Sequence, residues 1–323
     1  EKLLELAKAG VNVFRLNFSH GTHENKKEII QHIREINKSQ PIDIAILGDL
    51  QGPKLRVGEL TDGQIELVEG DDIIFSTEKQ VGTKSKIYVS YKHLTNDVKV
   101  GERIFLDDGK MEVKVKEILN DKEILVSITI GGTLLPKKGV NLPDSELTMP
   151  SMTEKDFTDL EFIIENNLDW VALSFVRKAA DIIALKAKIA EKDSKIKVIA
   201  KVEMPEALKN IRDIIVESDG VMIARGDLGV ELPVEQVPVI QKELIRKCMH
   251  RAKPVIVATQ MMESMMDRTK PNRSEVSDVA NAVLEGADAV MLSGETAMGE
   301  YPTQVVQTMV KIILEVEKTV YDY

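Results

Sequence analysis

Seven short apolar runs recur along this chain, and that recurrence constrains its fold more than any other feature. They are VNVFRLNF (11–18), IDIAILGDL (42–50), DWVALSF (169–175), IKVIAKVE (196–203), DGVMIARGDL (219–228), PVIVATQM (254–261) and DAVMLSGE (288–295). Each is strand-length and nearly continuous in apolar residues, as parallel strands covered on both faces must be. Helical patterns lie between most of them, at 22–38, 153–166, 178–193, 234–251 and 274–286. Strand–helix alternation at this spacing predicts βα units around a parallel sheet, hence an α/β fold. The chain opens on EKLLELAKAG, an amphipathic helix pattern rather than a strand. A closed (β/α)8 barrel needs eight strands. The expectation is therefore a TIM-type barrel lacking its first strand, with an open seven-stranded sheet as the alternative. Polar residues gather at the C-terminal ends of all seven runs, which favours the barrel.

Residues 54–150 break this rhythm. IELVEGDDIIFS, KIYVSYKHL, RIFLDDGKMEVKVKEI and EILVSITI read as strands, and Asp62-Gly63, Asp108-Gly109 and Gly131-Gly132 supply turn signals. The expected division is 1–53 as the first part of the barrel, 54–150 as an inserted β-rich lid after the third barrel strand, and 151–323 as the remainder. The length, 323 residues, agrees with about two domains.

Composition narrows the function. Lys plus Arg number 43 and Asp plus Glu 53, a net charge of −10. An acidic chain disfavours nucleic-acid and anionic-membrane binding, so neither is expected as a partner. The single cysteine, Cys248, cannot form an internal disulfide, which points to a reducing, cytoplasmic setting. No apolar run approaches the ~18 residues of a membrane span. There is no Walker A sequence and no G-x-G-x-x-G, and the five histidines show no zinc spacing.

Residues two apart on a strand share a side. Arg15, Asn17 and Ser19 therefore line up at the exit of their run, as do Lys201 with Glu203, Arg225 with Asp227, and Ser293 with Glu295. Asp49 and Thr259 stand near the ends of theirs. Each pair taken singly reads equally well as a salt bridge or a solvated rim. Jointly they place arginines, a lysine and carboxylates at the barrel end where sites are built. Glu203 and Asp227 on neighbouring strands offer hard oxygens suited to Mg²⁺, Lys201 adds a point charge, and Arg15 and Arg56 can grip phosphate with planar forks. Such a set suits an anionic phosphorylated substrate.

The motifs FRLNFSHG (14–21), GDLQGPKLR (48–56), LDDG (106–109), AKVE (200–203), IARGDLG (223–229), ATQMMESM (258–265), RSEVSDVANAV (273–283) and MLSGETAMGEYP (291–302) resemble, in order and through nearly the whole chain, those of the pyruvate kinase family. The resemblance implies a cytoplasmic glycolytic enzyme, a homotetramer when intact, that passes the phosphoryl group of phosphoenolpyruvate to ADP and gives pyruvate and ATP. It implies that Arg15 contacts the substrate phosphate, that Lys201 stabilises the phosphoryl group in transfer, and that Glu203 and Asp227 hold Mg²⁺, with Mn²⁺ as the alternative. It further implies that backbone at Arg225 and Gly226 binds the substrate carboxylate beside Thr259, and that Thr259 or a path to Ser293 protonates the enolate. Asn17, His20 and Arg56 fall on the nucleotide side, and Asp108 in the lid.

Three departures accompany the resemblance. The family's KIEN motif, followed by x-E-G, reads KVEMPEA here, with Met204 and Ala207 in place of Asn and Gly. The family's opening strand and its C-terminal α/β domain have no counterpart, so a chain of this extent alone is expected to be poorly soluble or inactive. Many members hold K⁺ at the positions of Asn17, Ser19, Asp49 and the carbonyl of Leu50. This chain carries Lys54 where those members have Glu, and Leu50, Gln51 and Val57 where they have Thr, Lys and Thr. That resembles the K⁺-independent branch, in which a tethered ammonium beside Asp49 replaces the cation, so no K⁺ requirement is expected. A Mg²⁺-dependent enolate lyase or aldolase, and a non-catalytic binding protein, are the competing readings.

Overall fold

The computed structural model describes residues 1–320; residues 321–323, the end of the expected 151–323 segment, lie outside the described residues. The chain begins with α1 (Lys2–Ala9), β1 (Val13–Asn17), α2 (His23–Ser39) and β2 (Ala45–Asp49). Eight short strands follow: β3 (Ile65–Leu67), β4 (Asp72–Ser76), β5 (Lys86–Tyr88), β6 (Arg103–Leu106), β7 (Met111–Ile118), β8 (Glu123–Ile130), β9 (Gly132–Leu134) and β10 (Val140–Asn141), with α3 (Leu94–Asp97) after β5. The strand–helix rhythm then resumes with α4 (Glu154–Glu165), β11 (Trp170–Leu173), α5 (Ala179–Ala190), β12 (Lys197–Val202), α6 (Pro205–Lys209), α7 (Ile211–Glu217) and β13 (Gly220–Ala224). It ends with α8 (Arg225–Glu231), α9 (Val237–Met249), β14 (Val255–Ala258), α10 (Arg273–Glu285), β15 (Ala289–Met291), α11 (Gly294–Ala297) and α12 (Pro302–Val320).

The seven apolar runs form one parallel sheet in the order β1-β2-β11-β12-β13-β14-β15. Its concave face buries Leu47, Ala172, Ile199, Met222 and Ala258, with Trp170, Ile256 and Met291 packed against them. The convex face packs on the helices through a far larger cluster that includes Ile33, Ile163, Leu185, Ile214, Ile245 and Val279. Helix entries are locally encoded. Thr22 and Thr153 accept hydrogen bonds from the Asn25 and Asp156 amides, and Asp156 completes a capping box at α4.

Among the described residues the sheet does not close, because β1 and β15 each pair on one side only. The helical layer does continue across that interval. α1 packs on both α2 and α12, and Gly10 lies so near Val310 that a Cβ would stand 2.7 Å from its Cγ2. Eight helices (α1, α2, α4, α5, α7, α9, α10 and α12) thus surround seven strands, the arrangement expected of a (β/α)8 barrel with one strand position unfilled.

The strands between β2 and β11 have their own core, from Leu55 to Leu142, centred on Phe75, Ile87, Ile104, Leu106, Val113, Ile124 and Val126. Six pair as β10-β6-β7-β8-β4-β5, and β3 pairs with β9. Two of the three expected turns are present; at Gly131-Gly132 the chain instead passes from β8 straight into β9. Asp62 and Gly63 have φ of 59° and 74°, and Asp107, Asp108 and Gly109, at 49°, 55° and 82°, reverse the chain between β6 and β7. The run at 65–76 is two strands rather than one, interrupted at Gly70, whose φ is 90°.

Candidate active site

At the C-terminal edge of the parallel sheet, buried charges converge on Asp49, which is 1% exposed. Arg15 Nε donates to its Oδ2 at 2.5 Å, and Lys201 Nζ lies 3.2 Å from its Oδ1. The register explains the meeting: Arg15 is level with Leu47 and Asn17 with Asp49, so alternate residues of adjacent strands face the concave side together. Lys201, two residues beyond the inward Ile199, also pairs with Glu203 Oε1 at 2.8 Å. Burial alone would raise the Asp49 pKa, but Lys201 and Arg15 outweigh it and hold the carboxyl below the ordinary range. Burial likewise opposes the Lys201 charge, and Asp49 and Glu203 more than restore it, so this ammonium stays protonated at any physiological pH.

Glu203 is in the opposite condition. It is 3% exposed; burial pushes it up, Lys201 pulls it down, and the Asp227 carboxylate adds repulsion, leaving it above the usual range. Two carboxylates that repel in a nearly dry setting fit a divalent cation that takes hard oxygen ligands. No three His, Cys, Asp or Glu side chains form a metal cluster among the described residues.

Ser174 is a member of this cluster that sequence reasoning missed. It is 2% exposed, accepts from Lys201 Nζ at 2.7 Å and donates to the Leu50 carbonyl at 2.7 Å. Its signal was available, because it stands two residues beyond Ala172, which faces the concave side beside Leu47 and Ile199. The next residue, Phe175, has φ of 54° and donates its amide to Glu203 Oε2 at 2.7 Å.

Several expectations require correction. Arg225 and Asp227 do not align on a strand: β13 stops at Ala224 and both lie in α8. Successive residues there turn by about 100°, so positions two apart diverge. Arg225 turns toward Asp278 (2.7 Å) and the Thr259 carbonyl (2.7 Å), while Asp227 lines a cleft beneath the inserted strands. Asp227 is therefore not on a strand neighbouring that of Glu203, although it is near enough to act on it. Ser293 and Glu295 diverge for the same reason. β15 stops at Met291, Ser293 precedes α11, and buried Glu295 bends back to accept from the Ser293 amide at 2.7 Å. Ser19 lies beyond β1, its amide donating to Asn17 Oδ1 at 2.9 Å. Lys54 is not an ion-pair partner of Asp49, whose cations are Arg15 and Lys201.

The other expected residues lie as follows. Gly226 donates its amide to Thr259 Oγ1 at 2.8 Å, and Thr259 is held at φ 70° just past β14. His20 is exposed, and its carbonyl accepts from Lys26. Arg56 stands on the inserted unit, where Nη1 donates to the Lys137 carbonyl at 2.8 Å. Leu50 is buried at the end of β2. Asp108, exposed at the β6–β7 turn, lines the same cleft as Asp227 together with Lys54, Asn141 and Glu231.

Glu231 is a second residue that sequence reasoning missed. It is 5% exposed; Oε1 accepts from Asn141 Nδ2 at 2.7 Å, and Oε2 has no partner. Burial, reinforced by Asp227, Asp144 and Glu203 against the help of Asn141, raises its pKa from 4.5 to about 7. A carboxyl raised in the folded state contributes stability that is fully present below pH 4.5 and lost as pH rises through 7. Glu231→Gln removes that loss. The variant should match the parent near pH 4.5 and exceed it by ~1–3 kcal/mol near pH 8, as thermal unfolding across that range will show. Parallel stability profiles for the two proteins would contradict the assignment.

A barrel sheet with a charged cluster at its strand ends, facing an inserted β unit across a cleft, defines a TIM-type α/β protein with an active-site-like mouth. The chain belongs to the pyruvate kinase family. The family model described as "Pyruvate kinase, barrel domain" matches residues 1–306. A curated pyruvate kinase from Geobacillus stearothermophilus is 47% identical over 322 residues, 98% of this chain and 54% of its own length. One from Staphylococcus aureus is 47% identical over 318 residues, with the same coverage. A crystal structure of a pyruvate kinase from Cryptosporidium parvum superposes with a TM-score of 0.95 at 40% identity, covering 98% of this chain and 66% of that one. The chain spans about half the length of the curated relatives it matches.

Proposed function

We propose that this chain forms the barrel and lid of an enzyme that moves the phosphoryl group of phosphoenolpyruvate to ADP, giving pyruvate and ATP in glycolysis. The observation that carries the reading is the buried Lys201, joined to Asp49 and Glu203 at 3.2 and 2.8 Å, with Asp227 near enough to raise Glu203. A fixed cation beside two carboxylates and an arginine suits the charge of phosphoryl transfer, where positioning and electrostatics do most of the work.

In this reading the barrel consists of 1–53 and 151–323, and 54–150 is the lid. Arg15 binds the substrate phosphate, already oriented by Asp49. Lys201 offsets the charge that develops on the transferring group. Glu203 and Asp227 hold Mg²⁺ or Mn²⁺, which supplies positive charge to substrate oxygens. Backbone at Arg225 and Gly226 receives the carboxylate near Thr259, which with Ser293 delivers the proton to the enolate. Asn17, His20 and Arg56 take the nucleotide phosphates, and Asp108 closes over the site from the lid. Together these groups act on small phosphorylated substrates. The intact protein is proposed to be a cytoplasmic homotetramer; no helix among the described residues is long and apolar enough to cross a membrane.

A coupled assay for ATP formation from phosphoenolpyruvate and ADP, run on a protein that contains this chain, tests the activity. A lyase or aldolase would act on the pyruvate enolate without consuming ADP, and a binding protein would form no ATP. We also propose independence from K⁺. Arg15 and Lys201 already balance Asp49, part of the proposed K⁺ site, and Lys54 adds a tethered charge in the cleft lined by Asp227 and Glu231. In tetramethylammonium buffer, adding K⁺ should change turnover less than about twofold. A rise of about tenfold, one decade of transition-state stabilisation, would sink that proposal.

A further inference from the structure

The inserted unit joins the barrel through two crossings without regular structure, and both are gripped by buried charged side chains that the proposed chemistry does not use. The outgoing crossing runs from Leu50, in the barrel core, to Leu55, in the inserted core; the returning one runs from Met149, packed on the inserted core, to Met152 in the barrel core. Asp156, 0% exposed at the start of α4, holds the outgoing crossing and caps its own helix where the returning one ends. Its Oδ1 accepts from the Gly52 amide at 3.0 Å, and its Oδ2 accepts from the amide and hydroxyl of Thr153 at 2.8 and 2.6 Å. Gly52 has φ of 68°, and a Cβ there would lie 2.7 Å from Phe175 Cδ2, so the outgoing crossing is confined on its other side too.

Arg177, 5% exposed, grips the returning crossing further out. Its two terminal nitrogens donate to the carbonyls of Leu147 and Met149. Its own backbone is fixed to the barrel: the amide donates to Asp181 at 2.9 Å and the carbonyl accepts from Asn210 at 2.9 Å. A guanidinium has a planar fork that can satisfy two carbonyls in one geometry, which an ammonium cannot match. Beyond these grips, the one side-chain to side-chain hydrogen bond joining the two units among the described residues is Asn141 to Glu231.

We propose that Asp156 and Arg177 are positioning residues that set the angle of the inserted unit over the barrel mouth, and so the width of the cleft lined by Lys54, Asp108, Asp227 and Glu231. Buried charged groups whose partners are backbone atoms of a crossing fix that backbone far more tightly than apolar packing, because a lost bond strands a buried charge. This geometric role stands apart from the catalytic reading; only its effect on turnover rests on that reading.

Spin labels at Glu117→Cys on β7 and Lys195→Cys before β12, both exposed positions, report the distance across the two units, while buried Cys248 stays unlabelled. Asp156→Asn and Arg177→Met should each broaden the distance distribution at least about twofold, the signature of a loosened hinge. Arg177→Lys, a milder change, should give an intermediate width even if Asp156→Asn fails to fold. The control is Asp159→Asn, which removes a carboxylate of similar burial on the same helix, bonded to Lys155 and His23 and not to the crossings. Unchanged distributions in the Asp156 and Arg177 variants, or equal broadening in the Asp159 variant, would overturn the proposal.

Discussion

Lys201→Met should lower turnover by at least ~10³-fold, at the upper end of what removal of one charge-stabilising group costs. The same change should destabilise the fold. Lys201 is 9% exposed and sits between Asp49 Oδ1 and Glu203 Oε1. Methionine fills a similar volume but leaves both carboxylates without it, and breaking a buried pair on one side costs ~3–5 kcal/mol. Asp49 retains Arg15, so Glu203 bears more of the loss and should become protonated. The two effects separate when turnover is normalised to the folded fraction measured by circular dichroism. Turnover within tenfold of the parent, per folded molecule, would remove Lys201 from the proposed chemistry.

Asp49→Asn should be nearly as damaging, for the converse reason. Among the described residues, Asp49 is the one carboxylate that bonds both Arg15 and Lys201. Its loss leaves two neighbouring cations to repel at the phosphate position, with an expected cost of ~3–5 kcal/mol. The substrate KM should rise as Arg15 loses its orientation. Urea unfolding and steady-state kinetics check both parts; a variant of parental stability and KM would show that Asp49 does not organise the cluster.

How far the sequence exposed this site depends on the local structure around each residue. Arg15, Asp49, Lys201 and Glu203 were legible because strand alternation through β1, β2 and β12 carries to the residues at their ends. Ser174 obeys the same rule, but a serine after an apolar run attracts no notice. Arg225 and Asp227 were misplaced because nothing in MIARGDLG announces a helix. Ala224 supplies no side-chain cap, and Gly226 and Gly229 are poor helix formers, so the apolar run reads on as strand. Packing onto β14 and α9 overrides that weak preference. The inserted unit was legible from its Asp-Gly turns, whereas the grip of Asp156 and Arg177 on its crossings joins residues over 100 and about 30 positions apart, which only the folded chain brings together.

³¹P NMR of phosphoenolpyruvate, ADP and Mg²⁺ with a protein that contains this chain observes the proposed phosphoryl transfer directly. The phosphoenolpyruvate resonance should fall as the γ-phosphate resonance of ATP rises by an equal amount, and Lys201→Met should abolish the exchange. Release of inorganic phosphate in place of ATP, or equal transfer by the Lys201 variant, would contradict it.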